Sequence, residues 1–116
     1  MNKLLIASFG ELGIYHYDNY DNHDNLKTTK AILVESTSHS EASATVLAEA
    51  LLILDWSPLE ITVDDKELYR MLSTGGEYNR LQAIVNRRAG KLNRLDYVVK
   101  WEALTLDKLL GGSNGC

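Results

Sequence analysis

The sequence predicts an α/β domain in which a mixed five-stranded sheet carries helices packed on it. Three strand patterns joined by short segments precede the first helical pattern, which favours an antiparallel meander. A helical stretch then separates the third and fourth strands, and such a crossover leads to a parallel neighbour. The full predicted order is βββαβααβ with a short C-terminal piece. The 116 residues, 45% of them hydrophobic, suit one globular domain with its own core.

The first three strands are recognised from apolar runs and alternation. The segment "KLLIASF" (3–9) is a short apolar run, "GIYHYDN" (13–19) alternates, and "TKAILVES" (29–36) completes the meander. Between the second and third strands, "YDNYDNHDN" (17–25) is rich in Asn and Asp, whose side chains bond the local backbone. It predicts a polar hairpin loop rather than a cation site, because it lacks the glycine and terminal glutamate of an EF-hand.

The first helix is predicted over residues 38–54, "SHSEASATVLAEALLIL", which is apolar on almost every side. Ser38 and Glu41 have the S-x-x-E spacing of a capping box, in which the two side chains bond each other's backbone N–H groups. Glu41 therefore has two open interpretations: it is a helix cap, or it is a catalytic carboxylate held over the sheet.

The fourth strand leads directly into the second helix. The segment "LEITV" (59–63) alternates as a strand does, and the apolar residues of the following "KELYRML" recur at helical i, i+3 and i+4 spacing. Asp64 or Asp65 between them can cap that helix.

The C-terminal part contains one more helix and one more strand. A third helix is predicted over residues 77–92 and a fifth strand over residues 96–101, followed by a short helix or turn at 104–110. The Gly-rich tail 111–116 is expected to be flexible. We therefore predict a single domain over residues 1–110.

Cysteine content and hydropathy indicate the compartment. The one cysteine, Cys116, excludes a disulfide framework within the chain and favours a reducing compartment. No apolar run approaches the ~20 residues of a membrane span, and the N-terminus lacks the pattern of a signal peptide. We expect a soluble cytoplasmic protein without a membrane partner.

Charge is unevenly distributed along the chain. Residues 1–65 contain three lysines against eleven acidic residues, a net charge of −8, whereas residues 66–116 contain nine basic against five acidic residues, a net charge of +4. Such asymmetry fits an acidic metal-binding half beside a basic nucleic-acid-binding half, and equally fits solvated faces of opposite sign. On the third helix, the candidate phosphate-binding residues are Arg80, Arg87, Arg88 and Lys91.

These motifs, in this order, resemble the ribonuclease H superfamily. The segment "SHSEASATVLAEALLIL" is similar to the family's first helix, and "LEITVDDKELYRML" to its fourth strand with a catalytic aspartate at its end. The segment "DYVVKW" is similar to its fifth strand, and "LDKLL" to its terminal helix. The resemblance covers roughly residues 3–110 and implies binding of nucleic acid, either an RNA/DNA hybrid or a single strand.

The resemblance also implies a chemistry. In the family, two divalent ions held by clustered carboxylates clamp the scissile phosphate, and one of them activates the attacking water. Carried over to this chain, the metal ligands and catalytic residues are Glu41, Asp64 and Asp107, and the ions are Mg²⁺ or Mn²⁺. The implied activity is metal-dependent phosphodiester hydrolysis.

Two departures from the family pattern leave an alternative open. The family's first strand carries an aspartate, but here Ser8 and Phe9 occupy that region and Glu11 is the nearest acid. The usual His-containing loop before the terminal helix is also missing, because Trp101 and Asp107 are separated by only a short segment. Either the site is rebuilt around Glu11, or the domain has lost hydrolysis and acts as a nucleic-acid-binding or protein-binding module.

His39 supports a third and weaker hypothesis. The start "SHSEAS" is faintly similar to the "GH-x-x-T" helix start of the viral ring nucleases that degrade cyclic oligoadenylate. There a histidine at a helix N-terminus acts as general acid beside bound phosphates. The alternative is that His39 is a surface residue of the cap region.

Overall fold

The structure, a computed structural model of the protein, describes residues 2–18, 27–35, 38–53, 59–74, 79–88 and 96–110. Its elements within these ranges are β1 (Asn2–Phe9), β2 (Leu12–Asp18), β3 (Lys27–Leu33), α1 (His39–Ile53), β4 (Leu59–Val63), α2 (Lys66–Thr74), α3 (Asn79–Arg88), β5 (Tyr97–Trp101) and α4 (Leu106–Leu109). The element order and the fold class confirm the prediction. The tail 111–116 and most of the predicted hairpin loop, residues 19–26, lie outside the described residues.

The sheet has the order β3-β2-β1-β4-β5. The pairs β1–β2 and β2–β3 are antiparallel, as the predicted meander requires, and β1–β4 and β4–β5 are parallel. In the register, Val63 pairs with Ile6 on one side and with Trp101 on the other. The carboxyl ends of β1, β4 and β5 therefore meet at one edge, which is where ligands bind in many α/β sheets.

Helix α1 lies between the sheet and α3 and supplies much of the core. Its middle is fully buried, with Val46, Leu47 and Leu51 at 0% exposure. Its close approach to β2 depends on Gly13, because a Cβ atom built there would lie 2.4 Å from Cγ2 of Val46. The small residue thus lets the helix pack directly on the strand backbone.

The other face of the sheet carries α4. Ala7 alternates along β1 with Ile6 and Ser8, so its side chain lies on the face opposite α1. There it joins Ile14, Leu104 and the buried Leu109 of α4 in a second, smaller cluster. Across the described ranges, no helix has both the length and the hydropathy that crossing a bilayer requires.

Candidate functional site

A polar cluster occupies the edge where β1 and β4 end beside the N-terminus of α1. We call it the Asp64 cluster, and its members are Ser8, His39, Ser43, Asp64 and Asp65. They are contributed by β1, by the first turns of α1, and by the junction between β4 and α2. The site is therefore assembled from three segments that are distant in sequence.

Two serines bond the carboxylate of Asp64. The Ser8 backbone N–H donates to Oδ2 of Asp64 at 3.0 Å, and the Ser43 hydroxyl donates to Oδ1 at 2.8 Å. The Ser8 and Ser43 hydroxyl oxygens are 3.0 Å apart. Because the Ser43 proton is committed to Asp64, the Ser8 hydroxyl donates to Ser43. Both serines are buried, so these bonds are protected from competition by water.

His39 bridges the two aspartates. Its Nε2 lies 3.1 Å from Oδ2 of Asp64, and its Nδ1 lies 2.9 Å from Oδ1 of Asp65. An ionised carboxylate only accepts hydrogen bonds, so satisfying both contacts requires an imidazolium that donates from both nitrogens. Asp65 also caps α2, since it accepts the Leu68 N–H at 2.9 Å. Of the two aspartates that the sequence offered as caps, the structure uses Asp65.

The surroundings raise the pKa of His39 and lower the pKa of Asp65. Burial lowers the pKa of His39, but the hydrogen bond to Asp65 and the charge of Asp64 outweigh it, so the net pKa lies above the ordinary 6.5. Burial raises the pKa of Asp65, but hydrogen bonds from Ser40, Leu68 and His39 outweigh it and leave the pKa below its ordinary value. The protonated histidine and the ionised aspartate stabilise each other.

We expect this bridge to make stability depend on pH. A histidine whose folded pKa is raised stabilises fully below its unfolded value of about 6.5, and the contribution is lost as pH rises through the folded pKa. The free energy of unfolding should therefore fall as the pH rises above about 6.5 and through the raised pKa of folded His39, and His39→Gln should abolish that decrease. Denaturant melts at a series of pH values measure this directly.

His16 provides the control for the pH series. Burial lowers its pKa, so its own contribution has the opposite sign and rises with pH. His16→Gln should leave the decrease attributed to His39 in place. A decrease that persists in His39→Gln would assign the pH dependence to other groups.

The structure places Glu41 away from the cluster. Residues 41 and 43 differ by about 200° around a helix axis, so their side chains leave α1 on nearly opposite sides. Oε2 of Glu41 lies 2.7 Å from Nε of Arg80 on α3, whereas Ser43 lies against Asp64. The backbone N–H of Glu41 lies 3.4 Å from Oγ of Ser38, as expected if Ser38 caps the helix. The role of Glu41 as a metal ligand stays a prediction.

Two other acidic residues that the sequence offered as ligands belong to other parts of the fold. Asp107 is exposed in the first turn of α4, the helix that covers the opposite face of the sheet. Glu11 lies beside β3, in an open cleft lined also by Leu12 and Leu33, while Asp64 follows β4 on the other side of β1. The role of Asp107 as a metal ligand and a site rebuilt around Glu11 both stay predictions.

The predicted phosphate-binding residues are only partly described. The Arg80 side chain is 79% exposed although its Nε atom bonds Glu41, so it still presents donors to solvent. Arg87 and Arg88 belong to α3, but their side chains, like all of Lys91, lie outside the described residues. Their role stays a prediction.

Comparison with known proteins gives matches among solved structures. No protein-family model matches the sequence, and no curated protein sequence matches it. The structure is similar to that of RNase H1 from the halophilic archaeon Halobacterium salinarum NRC-1, with a TM-score of 0.57 and 14% identity, covering 94% of this chain and 87% of that one. It is also similar to the N-terminal RNase H domain of Rv2228c from Mycobacterium tuberculosis, solved as a fusion with maltose-binding protein. For that domain the TM-score is 0.51 and the identity 13%, covering 96% of this chain and 88% of the other.

The fold is ribonuclease H-like. This confirms the resemblance noted in the sequence. Within this fold, Asp64 after β4 is bonded by Ser43 of α1, whose hydroxyl also contacts that of Ser8 on β1. Ser43 was not singled out by sequence analysis. No local signal separates Ser43 from Ser40 or Thr45, the other small polar residues in the N-terminal half of α1.

The donors around Asp64 do not fit the two-ion centre that the resemblance implies. Mg²⁺ and similar hard ions are held mainly by charged carboxylate oxygens. The α1 side chains that bond Asp64 are the neutral Ser43 hydroxyl and the imidazolium of His39, and β1 contributes the Ser8 backbone N–H. The Asp65 carboxylate is occupied by His39 and by the cap of α2. In the part of the chain that the structure describes, no three His, Cys, Asp or Glu residues come together in a group able to hold a metal ion.

Proposed function

We propose that this chain is a nucleic-acid-binding ribonuclease H-like domain that does not hydrolyse phosphodiesters by the two-metal route. One observation carries the proposal: neutral Ser8 and Ser43, rather than carboxylates, complete the cluster around Asp64. Two divalent ions a few ångströms apart repel each other strongly unless several negative charges surround them. A single carboxylate already accepting bonds from two serines and a histidine does not supply that charge.

Nucleic acid as the partner is supported by the fold and by charge. The two solved structures described above are RNase H proteins by name, and we carry binding of nucleic acid over from them as a proposal. The second part of this chain, residues 66–116, has a net charge of +4. Positive side chains that neutralise phosphates release counterions, which gives salt-dependent and sequence-tolerant affinity.

Metal-dependent hydrolysis is the second candidate, with Glu41, Asp64 and Asp107 as ligands of Mg²⁺ or Mn²⁺. It is favoured by the location of Asp64, which directly follows β4 at the carboxyl edge of the sheet. To bind a metal ion, Glu41 would have to break its ion pair with Arg80. Because the Arg80 side chain is exposed, that ion pair contributes only about 0–1 kcal/mol to stability. The two candidates differ in one observable, cleavage of bound nucleic acid.

We expect binding without cleavage. Fluorescence anisotropy should be measured with end-labelled single-stranded RNA, single-stranded DNA, an RNA/DNA hybrid and a DNA duplex, all of one length. The dissociation constant should rise steeply with salt because phosphate contacts dominate. Denaturing gels of the same mixtures, incubated with millimolar Mg²⁺ or Mn²⁺, should show intact strands.

Two results would contradict the proposal. Metal-dependent cleavage that disappears in both Asp64→Asn and Glu41→Gln would establish the second candidate instead. Failure to bind any of the four nucleic acids at low salt would remove nucleic acid as the partner. Asp107→Asn is the matched control, because the metal-site hypothesis requires it to affect cleavage while the binding hypothesis does not.

A further inference from the structure

An exposed tryptophan stands at the end of β5. Trp101 is 42% exposed, although a large aromatic side chain normally contributes to the core. Nζ of Lys66, the first residue of α2, lies 4.9 Å from the centroid of its ring. This is a cation–π contact, which holds the aromatic plane and a positive charge together at the surface.

The register places this pair beside the Asp64 cluster. Val63 pairs with Trp101 across the parallel strands, and the Glu102 N–H continues the ladder to the Val63 carbonyl at 3.0 Å. Asp64 is the next residue after Val63, and Lys66 follows two residues later. The aromatic ring and the ammonium group therefore lie at the same carboxyl edge as the cluster, next to the N-terminus of α2.

The positive charge of Lys66 is available to a ligand. Two other lysines of this region have acidic partners: Lys100 Nζ lies 3.2 Å from Glu60, and Lys108 pairs with Glu102. Lys66 has no acidic partner among the residues that the structure describes, and its recorded contact is the Trp101 ring.

The acidic groups next to Lys66 differ in how much negative charge they present to solvent. The side chains of Asp64 and Asp65 are 7% and 12% exposed, and both bond His39, which reduces the charge that they present. The exposed acid of the first turn of α2 is Glu67. An anion can therefore approach Lys66 from the Trp101 side.

We infer that Trp101 and Lys66 bind an unpaired nucleotide of a single-stranded nucleic acid. The base stacks on the exposed part of the indole ring, and the ammonium group contacts the adjacent phosphate. An unpaired base is required because bases within a duplex are already stacked on both faces. The inference rests on the proposed binding function and names the part of the nucleic acid that this edge recognises.

The test uses a 20-nucleotide oligouridylate, measured by anisotropy of an end label. Because Trp101→Ala removes the ring on which the base stacks, it should weaken binding about tenfold. Trp101→Phe keeps an aromatic ring and should retain most of the affinity. Lys66→Gln should flatten the salt dependence by about 0.7 in its log–log slope, the value of one phosphate contact on a single strand. The controls are Leu33→Ala and Lys30→Gln on β3, at the opposite edge of the sheet, which should leave both quantities unchanged.

An optical signal tests the contact itself. The chain has two tryptophans, Trp56 and Trp101, so a Trp56→Phe chain reports Trp101 alone. Its fluorescence should be quenched as oligouridylate binds. If Trp56→Phe does not fold, as judged by circular dichroism, the Trp101→Ala affinity in the otherwise unchanged chain still decides the question.

The outcomes separate this inference from the proposed function. If the unchanged chain binds oligouridylate but Trp101→Ala binds equally well, the site is wrong and nucleic-acid binding stands. If Trp101→Ala weakens binding of a fully paired duplex as much as binding of oligouridylate, recognition of an unpaired base is wrong. If the unchanged chain binds no nucleic acid at low salt, both the inference and the proposed function fall.

Discussion

Asp64→Ala is expected to lower the free energy of unfolding by about 3 kcal/mol in metal-free buffer. Three protein groups direct hydrogen bonds at this carboxylate: the Ser8 N–H, the Ser43 hydroxyl and the His39 ring. Bonds to a charged group contribute about 1.5–3 kcal/mol each, and a buried donor left without an acceptor costs a further penalty. Because the Asp64 side chain is only 7% exposed, water cannot fully replace it. Urea melts monitored by circular dichroism measure the change.

The sign of this effect distinguishes a structural carboxylate from a metal ligand. In a metal-free cluster of carboxylates, removing one charge relieves repulsion and stabilises the protein. Asp64→Asn should instead destabilise this chain, because the amide accepts at only one of its two positions. Asp107→Ala is the exposed control and should change the free energy of unfolding by about 0.5 kcal/mol or less. A gain in stability on Asp64→Asn would contradict the role that we assign to this side chain.

Placing two new carboxylates beside Asp64 should create a metal response. The hydroxyls of Ser8 and Ser43 are 3.0 Å apart, and both lie near Asp64, so Ser8→Asp with Ser43→Asp would bring three carboxylates together. Like charges about 4 Å apart repel by about 4 kcal/mol at an effective dielectric constant of 20, so the metal-free variant should be strongly destabilised. If the new site binds Mn²⁺ with a dissociation constant of about 0.1 mM, 10 mM Mn²⁺ should restore about 2.7 kcal/mol.

The neutral variant Ser8→Asn with Ser43→Asn is the matched control, because it adds similar volume without charge. Thermal melts with and without Mn²⁺ should show metal-dependent stabilisation in the aspartate variant and in neither the asparagine variant nor the unchanged chain. Where the double variant fails to fold, Ser8→Asp alone places one new carboxylate beside Asp64 and should show the same response at smaller amplitude. Metal stabilisation of the unchanged chain equal to that of the double variant would mean that its native donors already form a metal site.

Both predictions concern the Asp64 cluster, whose hydrogen bonds hold α1 against the sheet. In the Asp64 cluster, β1 and α1 both bond the residue that follows β4, and His39 adds a second attachment through Asp65. The same edge presents Trp101 and Lys66 to solvent. The buried groups of this edge thus contribute to stability, whereas its exposed groups are the ones that we propose for binding.

The sequence by itself determined the order and type of the elements, because these depend on short-range patterns. Alternation in residues 13–19 and 59–63 predicted the strands β2 and β4, and the capping spacing of Ser38 and Glu41 predicted the start of α1. The crossover between the third and fourth strands then determined which neighbours are parallel. The sequence also located Asp64 at the end of its strand.

Only the tertiary structure decided which side chains meet Asp64. A capping pattern identifies Glu41 as a first-turn residue, but the rotation of α1 against the sheet decides that Ser43 lies over Asp64 and that Glu41 bonds Arg80. Such rotation depends on long-range packing, including the contact of α1 with Gly13 of β2. The helix is only weakly amphipathic, because its polar residues occur on several sides, so its sequence pattern predicts the rotation poorly. Local patterns therefore predicted the fold, and the packing of α1 decided the composition of its site.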